Sequence, residues 1–349
     1  MPIPICMNPR GCMKYEPIDR TPLTLTALET GSTVTLTNPQ GSVNRYGPID
    51  FPNLKYRVYD SSTDTWSNWT RLFIDNTITL QNVNDAVQLW NQSTSFNKFF
   101  PNRDDDGYLM RVGRIGTTGK INLYGNVQSL LDFSRDCTEI GNFMELFYGS
   151  SGLYDASNLL LGAHYLTYKC YGNMFQSSGL QYPPTMFSSH LVNGCFAGMF
   201  SYCKKLLVCP PLPAVFLPTN CYQSMFQYCE SLTSTALMPQ KIMVSPTCMS
   251  HMYSYCKNLT SAYLPYMESE KVSGWVCYHM LYGCNSLNQI TVDFTNWGNN
   301  DESDWFYSWI DGVALGGTFY KPLELSEEYS SRDAVHMDRI PEDWTVINK

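Results

Sequence analysis

Basic clusters are missing from this chain, and with them the usual route to nucleic acid. Lys and Arg number 23 against 31 Asp and Glu, giving a net charge of -8, and no run of cations forms the stripe that a phosphate backbone requires. Nucleic acid is not an expected partner. Long apolar runs are missing as well. Stretches such as Leu159-Leu160-Leu161 fall far short of the roughly 20 residues a helix needs to cross a bilayer, so no membrane span is expected. No C-x-x-C pair, H-E-x-x-H, G-x-S-x-G or phosphate-cradling glycine loop occurs. The common zinc, hydrolase and nucleotide sites therefore have no support, and neither a catalytic residue, a metal nor a cofactor is expected. Charged residues make up only 15% of the chain.

What is present is apolar side chains, 44% of 349 residues, enough to offset the ordering entropy of a folded chain of two or three units. Thirteen cysteines would suggest a disulfide framework in a short secreted chain; here their spacing says otherwise. The segments FMELFYGSSGL from Phe143, CYGNMFQSSGL from Cys170, CFAGMFSYCKKL from Cys195, CYQSMFQYCESL from Cys221, CMSHMYSYCKNL from Cys248 and VCYHMLYGCNSL from Val276 begin 27, 25, 26, 27 and 28 residues apart. Self-similarity at such a period signals a repeat array in which each unit buries its apolar face on its neighbours.

Counting the first residue of a copy as position 0, apolar or sulfur residues recur at positions 0, 4, 8 and 11. At 100° per residue these lie within about 80° of one another, the stripe of an amphipathic helix. The predicted stripe is Cys170 and Met174 in the second copy; Cys195, Met199, Cys203 and Leu206 in the third; and Cys221, Met225, Cys229 and Leu232 in the fourth. Cys248, Met252, Cys256 and Leu259 form it in the fifth, and Met280, Cys284 and Leu287 carry it in the sixth. Proline-broken stretches such as VCPPLPAVFLP from Val208 follow each stripe and read as a short strand and turn. Sulfur alternates with Val, Phe and Ser at equivalent positions, the behaviour of small core fillers. Positions 0 and 8 of one helix would be about 12 Å apart, which rules out a bridge within a repeat; bridges between repeats stay open.

The unit C-[YF]-x-x-M-F-x-x-C-x-x-L followed by a strand with L-P-A, clearest in CYQSMFQYCESL and in Pro210–Ala214, resembles the BspA-like leucine-rich-repeat surface proteins of gut Bacteroidetes and of their bacteriophages. The flanks PLTLTALETGSTVTLTN from Pro22, GNVQSLLD from Gly125 and SWIDGVALGGTFYKP with IPEDWTVIN near the end are similar to the modules around such arrays. The resemblance implies a non-enzymatic protein exposed on a virion, in a capsid decoration, head or tail fibre, that presents the array to a host protein or glycan. The alternative is a bacterial cell-surface adhesin. Departures are the weak first two copies and the lack of a lipoprotein signal.

The expected architecture is thus α+β. An attachment tail at 1–20 contacts other virion or surface proteins; a β-sandwich spans 21–120 and a lead-in 121–142. A six-repeat solenoid of one helix and one short strand per repeat covers 143–292, and a cap covers 293–349. A homo-oligomer is compatible with this plan. The tail has no basic region followed by an apolar one, so it does not read as a secretory signal; the expectation is a trimmed chain or release by lysis. Its Cys6 and Cys12 are expected to pack. Alternating segments such as STVTLT and LKYRVYD carry the sandwich expectation. Trp66 and Trp69 in the loop Ser61–Trp69 are read as edge packing, with sugar stacking as the alternative. Arg103–Gly107 reads as a solvated loop with a calcium site as the alternative, and Asp301, Glu302 and Asp304 belong to the polar cap with a calcium or glycan site as the alternative; neither has calcium-loop spacing. Trp305, Phe306 and Trp309 are expected to turn toward the last repeat. His251 and His279 share position 3 of adjacent copies, which predicts neighbouring surface imidazoles able to share a metal or respond to pH, or simply two exposed residues.

Overall fold

The computed structural model describes residues 20–37, 53–91, 114–133, 143–163, 165–268, 274–298, 305–331 and 336–349. The tail 1–19 with Cys6 and Cys12, the loop Arg103–Gly107, His164, and Asp301, Glu302 and Asp304 lie outside the described residues.

The N-terminal unit is built from β1 (Leu23–Ala27), β2 (Ser32–Thr37), β3 (Leu54–Asp60), β4 (Thr65–Trp66), β5 (Thr70–Arg71), β6 (Thr77–Leu80), β7 (Ala86–Asn91), β8 (Arg114–Thr118) and β9 (Ile121–Asn126). The repeat region follows with β10 (Leu153–Leu160), β11 (Phe216–Leu217), β12 (Lys241–Val244), β13 (Ser261–Leu264), β14 (Tyr266–Glu268), β15 (Gln289–Val292), β16 (Thr318–Lys321), β17 (Tyr329–Ser330), β18 (Ile340–Pro341) and β19 (Thr345–Asn348). One N-terminal sheet runs β10-β9-β1-β7-β3-β4, with β5 also on β3, and the other runs β6-β2-β8. Period-2 patterning explains them. In β2, Ser32, Val34 and Leu36 are buried and the threonines between them are not. Leu25, Val34, Leu36, Val87 and Ile115, drawn from both sheets, belong to one buried cluster.

That sheet does not stop at the repeats. β9 pairs antiparallel with β1 on one edge and parallel with β10, the strand of the first coil, on the other. Ile115 N donates to Leu146 O at 2.7 Å and Ile121 N to Gly152 O at 2.8 Å, and Arg114 pairs with Glu145. Gly152 makes the junction possible: a Cβ there would stand 2.7 Å from the backbone carbonyl carbon of Thr118. Backbone hydrogen bonding therefore passes unbroken from the N-terminal unit into the array.

The expected helix of each repeat is not there, and the α+β assignment is corrected with it: the described residues are nearly all β, 32% strand and 2% helical, with a β-solenoid of stacked parallel coils. Residues 221–229 show what replaces the helix. The N–H groups of Tyr222, Ser224, Phe226 and Tyr228 donate to Cys248, Ser250, Met252 and Ser254 of the next coil, at 3.0, 2.9, 2.9 and 2.8 Å. The intervening N–H groups of Met225, Gln227 and Cys229 turn back three residues, to Tyr222, Ser224 and Phe226. The segment is a chain of overlapping β-turns, and every fourth residue is left-handed: Asn220 at φ 57°, Ser224 at 54° and Tyr228 at 60°. Similar runs occupy residues 143–150, 170–178, 195–203, 248–256, 276–284 and 305–313.

Coil spacing explains the outcome. Strands β13, β15, β16 and β19 pair directly and in parallel, which sets adjacent coils about 4.8 Å apart. Packed helices need 8–10 Å, so one helix per coil would splay the stack that the strands hold together. A flat turn run fits the strand spacing and sends alternate N–H groups to carbonyls of the neighbouring coil, which is how buried backbone donors are satisfied. The residues after 293 extend the stack: Trp305 O, Tyr307 O, Trp309 O and Asp311 O accept from Cys277, His279, Leu281 and Gly283, and β16 and β19 continue the sheet.

Candidate functional site

Within each turn run, positions 0, 1, 4, 5 and 8 point inward. Position 0 is the column Cys170, Cys195, Cys221, Cys248, Val276; position 4 is Met174, Met199, Met225, Met252, Met280; position 8 runs from Ser178 through Cys203, Cys229 and Cys256 to Cys284. All are buried. Leu206, Leu232, Leu259 and Leu287 are buried at the corner that follows. The residues named from the sequence are thus brought together as columns of core.

Two things about these columns were not visible in the periodicity. Position 5 is an aromatic stack, Phe147, Phe175, Phe200, Phe226 and Tyr253, with ring centres 5.3–5.6 Å apart and planes within 10°. Phe143 stacks on Tyr171 at 5.5 Å, which puts it at position 1, one residue later than the sequence alignment placed it. The second point is polar. The position-8 thiols of Cys203, Cys229, Cys256 and Cys284 donate to the carbonyls of Phe175, Phe200, Phe226 and Tyr253 in the preceding coil, at 2.9, 3.1, 3.1 and 3.2 Å. A small donor is wanted there, so Ser and Cys interchange: Ser150 Oγ donates to Ile115 O. Burial pushes the thiols of Cys203, Cys248 and Cys284 up, to about 11, 12 and 12, and the same cause raises Cys221, Cys229 and Cys256 far above the usual thiol range. These are poor nucleophiles.

Positions 3 and 7 point outward and are left-handed, and in the later coils several of them carry rings: Tyr202, Tyr228 and Tyr255 at position 7, His251 and His279 at position 3. Tyr202, Tyr228 and Tyr255 at position 7 stack at 4.4 and 4.5 Å with planes 14° and 9° apart. Beside them Glu230 bridges Lys204 and Lys257, at 3.3 and 3.5 Å. At position 3 the His251 and His279 rings meet edge to face at 5.0 Å, as the shared position predicted. Tyr278 stacks on His279 at 4.0 Å and on Trp275 at 5.2 Å, and Tyr307 lies 5.7 Å from Tyr278. Burial lowers the His251 pKa to about 4, with the neighbouring His279 charge acting in the same direction; His279 is also lowered, by burial first, against the pull of Asp311. The strip runs over five coils on one side of the solenoid, with Tyr202 and Trp275 its most exposed rings.

Near its far end the ladder changes partner. Ser308 N donates to Asp338 Oδ1 at 2.6 Å, and His336 bonds Ser308 Oγ at 2.8 Å and the Tyr307 hydroxyl. Nothing in the sequence flagged Asp338 or His336, because they come from outside the period. Trp305, Phe306 and Trp309 are buried as residues of the added coil. In the N-terminal unit Arg57 lies over both Trp66 and Trp69, at 4.5 and 4.8 Å from the ring centres, and Trp69 packs on Trp90 at 5.6 Å. The tryptophan faces are occupied by that guanidinium.

The architecture is that of a β-solenoid joined edge to edge to a two-sheet unit. No protein-family model, curated protein or solved structure matches this chain. Among the described residues no helix is long and apolar enough to cross a membrane.

Proposed function

We propose that this is a non-enzymatic surface protein of a bacteriophage virion that presents the solenoid to a host-cell protein or glycan. The observation that carries the reading is the strip of Tyr202, Tyr228, Tyr255, His251, Tyr278, His279 and Tyr307. Five of these rings, Tyr202, Tyr228, Tyr255, His251 and His279, stand at outward, left-handed positions that do not serve the core. A Tyr at φ 60°, as at 202, 228 and 255, is in a conformation that costs a bulky residue free energy, and other coils place Gly149, Ser177 and Gly283 at position 7. Aromatic and phenolic surface is also what recognition sites enrich. The tyrosine faces are turned to one another, so the strip offers ring edges and hydroxyls repeated at the coil spacing, suited to a partner that is itself extended. The deeply buried, high-pKa thiols support a role without covalent chemistry.

The test uses Tyr202→Ser/Tyr228→Ser/Tyr255→Ser, with serine chosen because Ser177 occupies the same position in the second coil. The full chain, fluorescently labelled, is titrated onto gut Bacteroidetes cells and a glycan array. Saturable binding that the triple variant loses, with its melting curve intact, supports the reading. Equal binding by both proteins refutes the strip as the contact. A cell-surface adhesin would use the same face.

A further inference from the structure

The two surface histidines carry an assignment independent of that reading. His251 and His279 are both left-handed, at φ 56° and 51°, and each is fixed by one bond to the next coil and one turn bond within its own coil. His251 N donates to Tyr278 O at 2.8 Å and His279 N to Tyr307 O at 3.2 Å, while their own carbonyls accept from Ser254 N and Tyr282 N. Their separation is therefore set by the stack and not by side-chain wandering. Two imidazoles on one tetrahedral metal at about 2.0–2.1 Å would have ring centres about 5 Å apart; here they stand 5.0 Å apart.

The hydrogen bonding also selects a ligating tautomer. The Ser254 hydroxyl donates its one proton to His279 O, so toward His251 Nδ1, at 3.4 Å, it can only accept. That places the His251 proton on Nδ1 and leaves the Nε2 lone pair free, the arrangement in which the far nitrogen of a metal-binding histidine is held by a partner. The other titratable groups facing the pair are Asp311, His336, Tyr278, Tyr282 and Tyr307; of these Asp311 adds negative charge beside an incoming cation. Among the described residues no three His, Cys, Asp or Glu side chains converge, so the protein supplies two ligands and leaves the rest of the coordination sphere open.

We propose that His251 and His279 together form a surface site for a borderline divalent transition ion such as Zn²⁺, completed by water or by a donor from another molecule. Oxygen-preferring Mg²⁺ and Ca²⁺ are excluded by the ligand chemistry.

The experiment is calorimetric titration of ZnCl₂ into the full chain at pH 7.5 with a non-chelating buffer, alongside His251→Asn and His279→Asn. Asparagine is chosen because Asn173 holds the same left-handed position at φ 52°. One equivalent is expected, weakened by at least about ten-fold in each variant while thermal melts stay unchanged. A second measurement, the visible spectrum of Co²⁺ added to the wild-type protein, should show nitrogen and oxygen ligation without the near-ultraviolet thiolate band. No heat with Zn²⁺ up to millimolar, binding that survives both variants, or a thiolate–cobalt band would each overturn the assignment; loss of folding in a variant leaves the cobalt spectrum to decide.

Discussion

Replacing Gly149 with Ala separates a turn-run coil from a helical one by the sign of its effect. Gly149 is exposed at position 7 of the first coil with φ 71°, and a Cβ built there meets nothing within 4 Å. The substitution therefore changes only backbone preference. A non-glycine residue in the left-handed region costs about 1–2 kcal/mol, and the lower entropy of Ala in the unfolded chain returns about 0.4–1 kcal/mol. The net expectation is a loss of about 1 kcal/mol. In a helix the same change would stabilise by roughly 1 kcal/mol, so the two architectures differ by about 2 kcal/mol with opposite signs. The assay is urea unfolding followed by tryptophan fluorescence, comparing midpoints at constant slope. Gly149→Asn is the control, since Asn tolerates the left-handed region better, and it should fall between wild type and Ala. A midpoint that rises on Gly149→Ala would refute the turn-run geometry.

Met225→Asp should abolish cooperative folding or cost more than about 4 kcal/mol, because a carboxylate at this fully buried position between coils meets no cation; a wild-type melting curve would count against the column assignment. In native protein Cys170, Cys195, Cys203, Cys221, Cys229, Cys248, Cys256 and Cys284, all at 0% exposure, should resist a thiol reagent that labels them on unfolding; rapid native labelling counted by mass spectrometry would show them accessible. Stability should also fall on mild acidification. His251 is held neutral when folded, its pKa lowered from 6.5 to about 4, so between those values the unfolded chain binds a proton that the folded chain refuses. The contribution is complete above about pH 6.5 and lost progressively down to about pH 4; after allowing for solvent screening at a partly exposed ring it amounts to about 1–2 kcal/mol. Denaturant midpoints of wild type and His251→Asn from pH 7 to 4.5, with chelator present, test this, and parallel curves would reject it.

The sequence alone determined the period, the burial of the sulfur atoms and, from the second copy on, the residues that share a column, because stacking identical units repeats the core chemistry at fixed intervals; the first copy, begun at Phe143, was set one residue out of register. It also placed His251 beside His279, through their common position. It did not determine the local conformation. Pairs of apolar residues every four positions, as in Cys221-Tyr222 and Met225-Phe226, satisfy a broad helical face and a chain of four-residue turns equally well. The residues that favour the turns were present as Gly149, Asn173, Gly198, Asn220 and Gly283, all left-handed in the fold and all weak in helices, but Tyr, His and Lys at equivalent positions in other coils hid them. What decided the matter was long-range. Each alternate N–H of a turn run is bonded to a carbonyl some 24–28 residues away, as Tyr171 to Cys195 and Cys277 to Trp305, and the parallel strands hold coils closer together than helices can pack. The Asp338 and His336 contacts at the end of the ladder arise in the same way, from a segment outside the period that only the folded stack brings to Ser308.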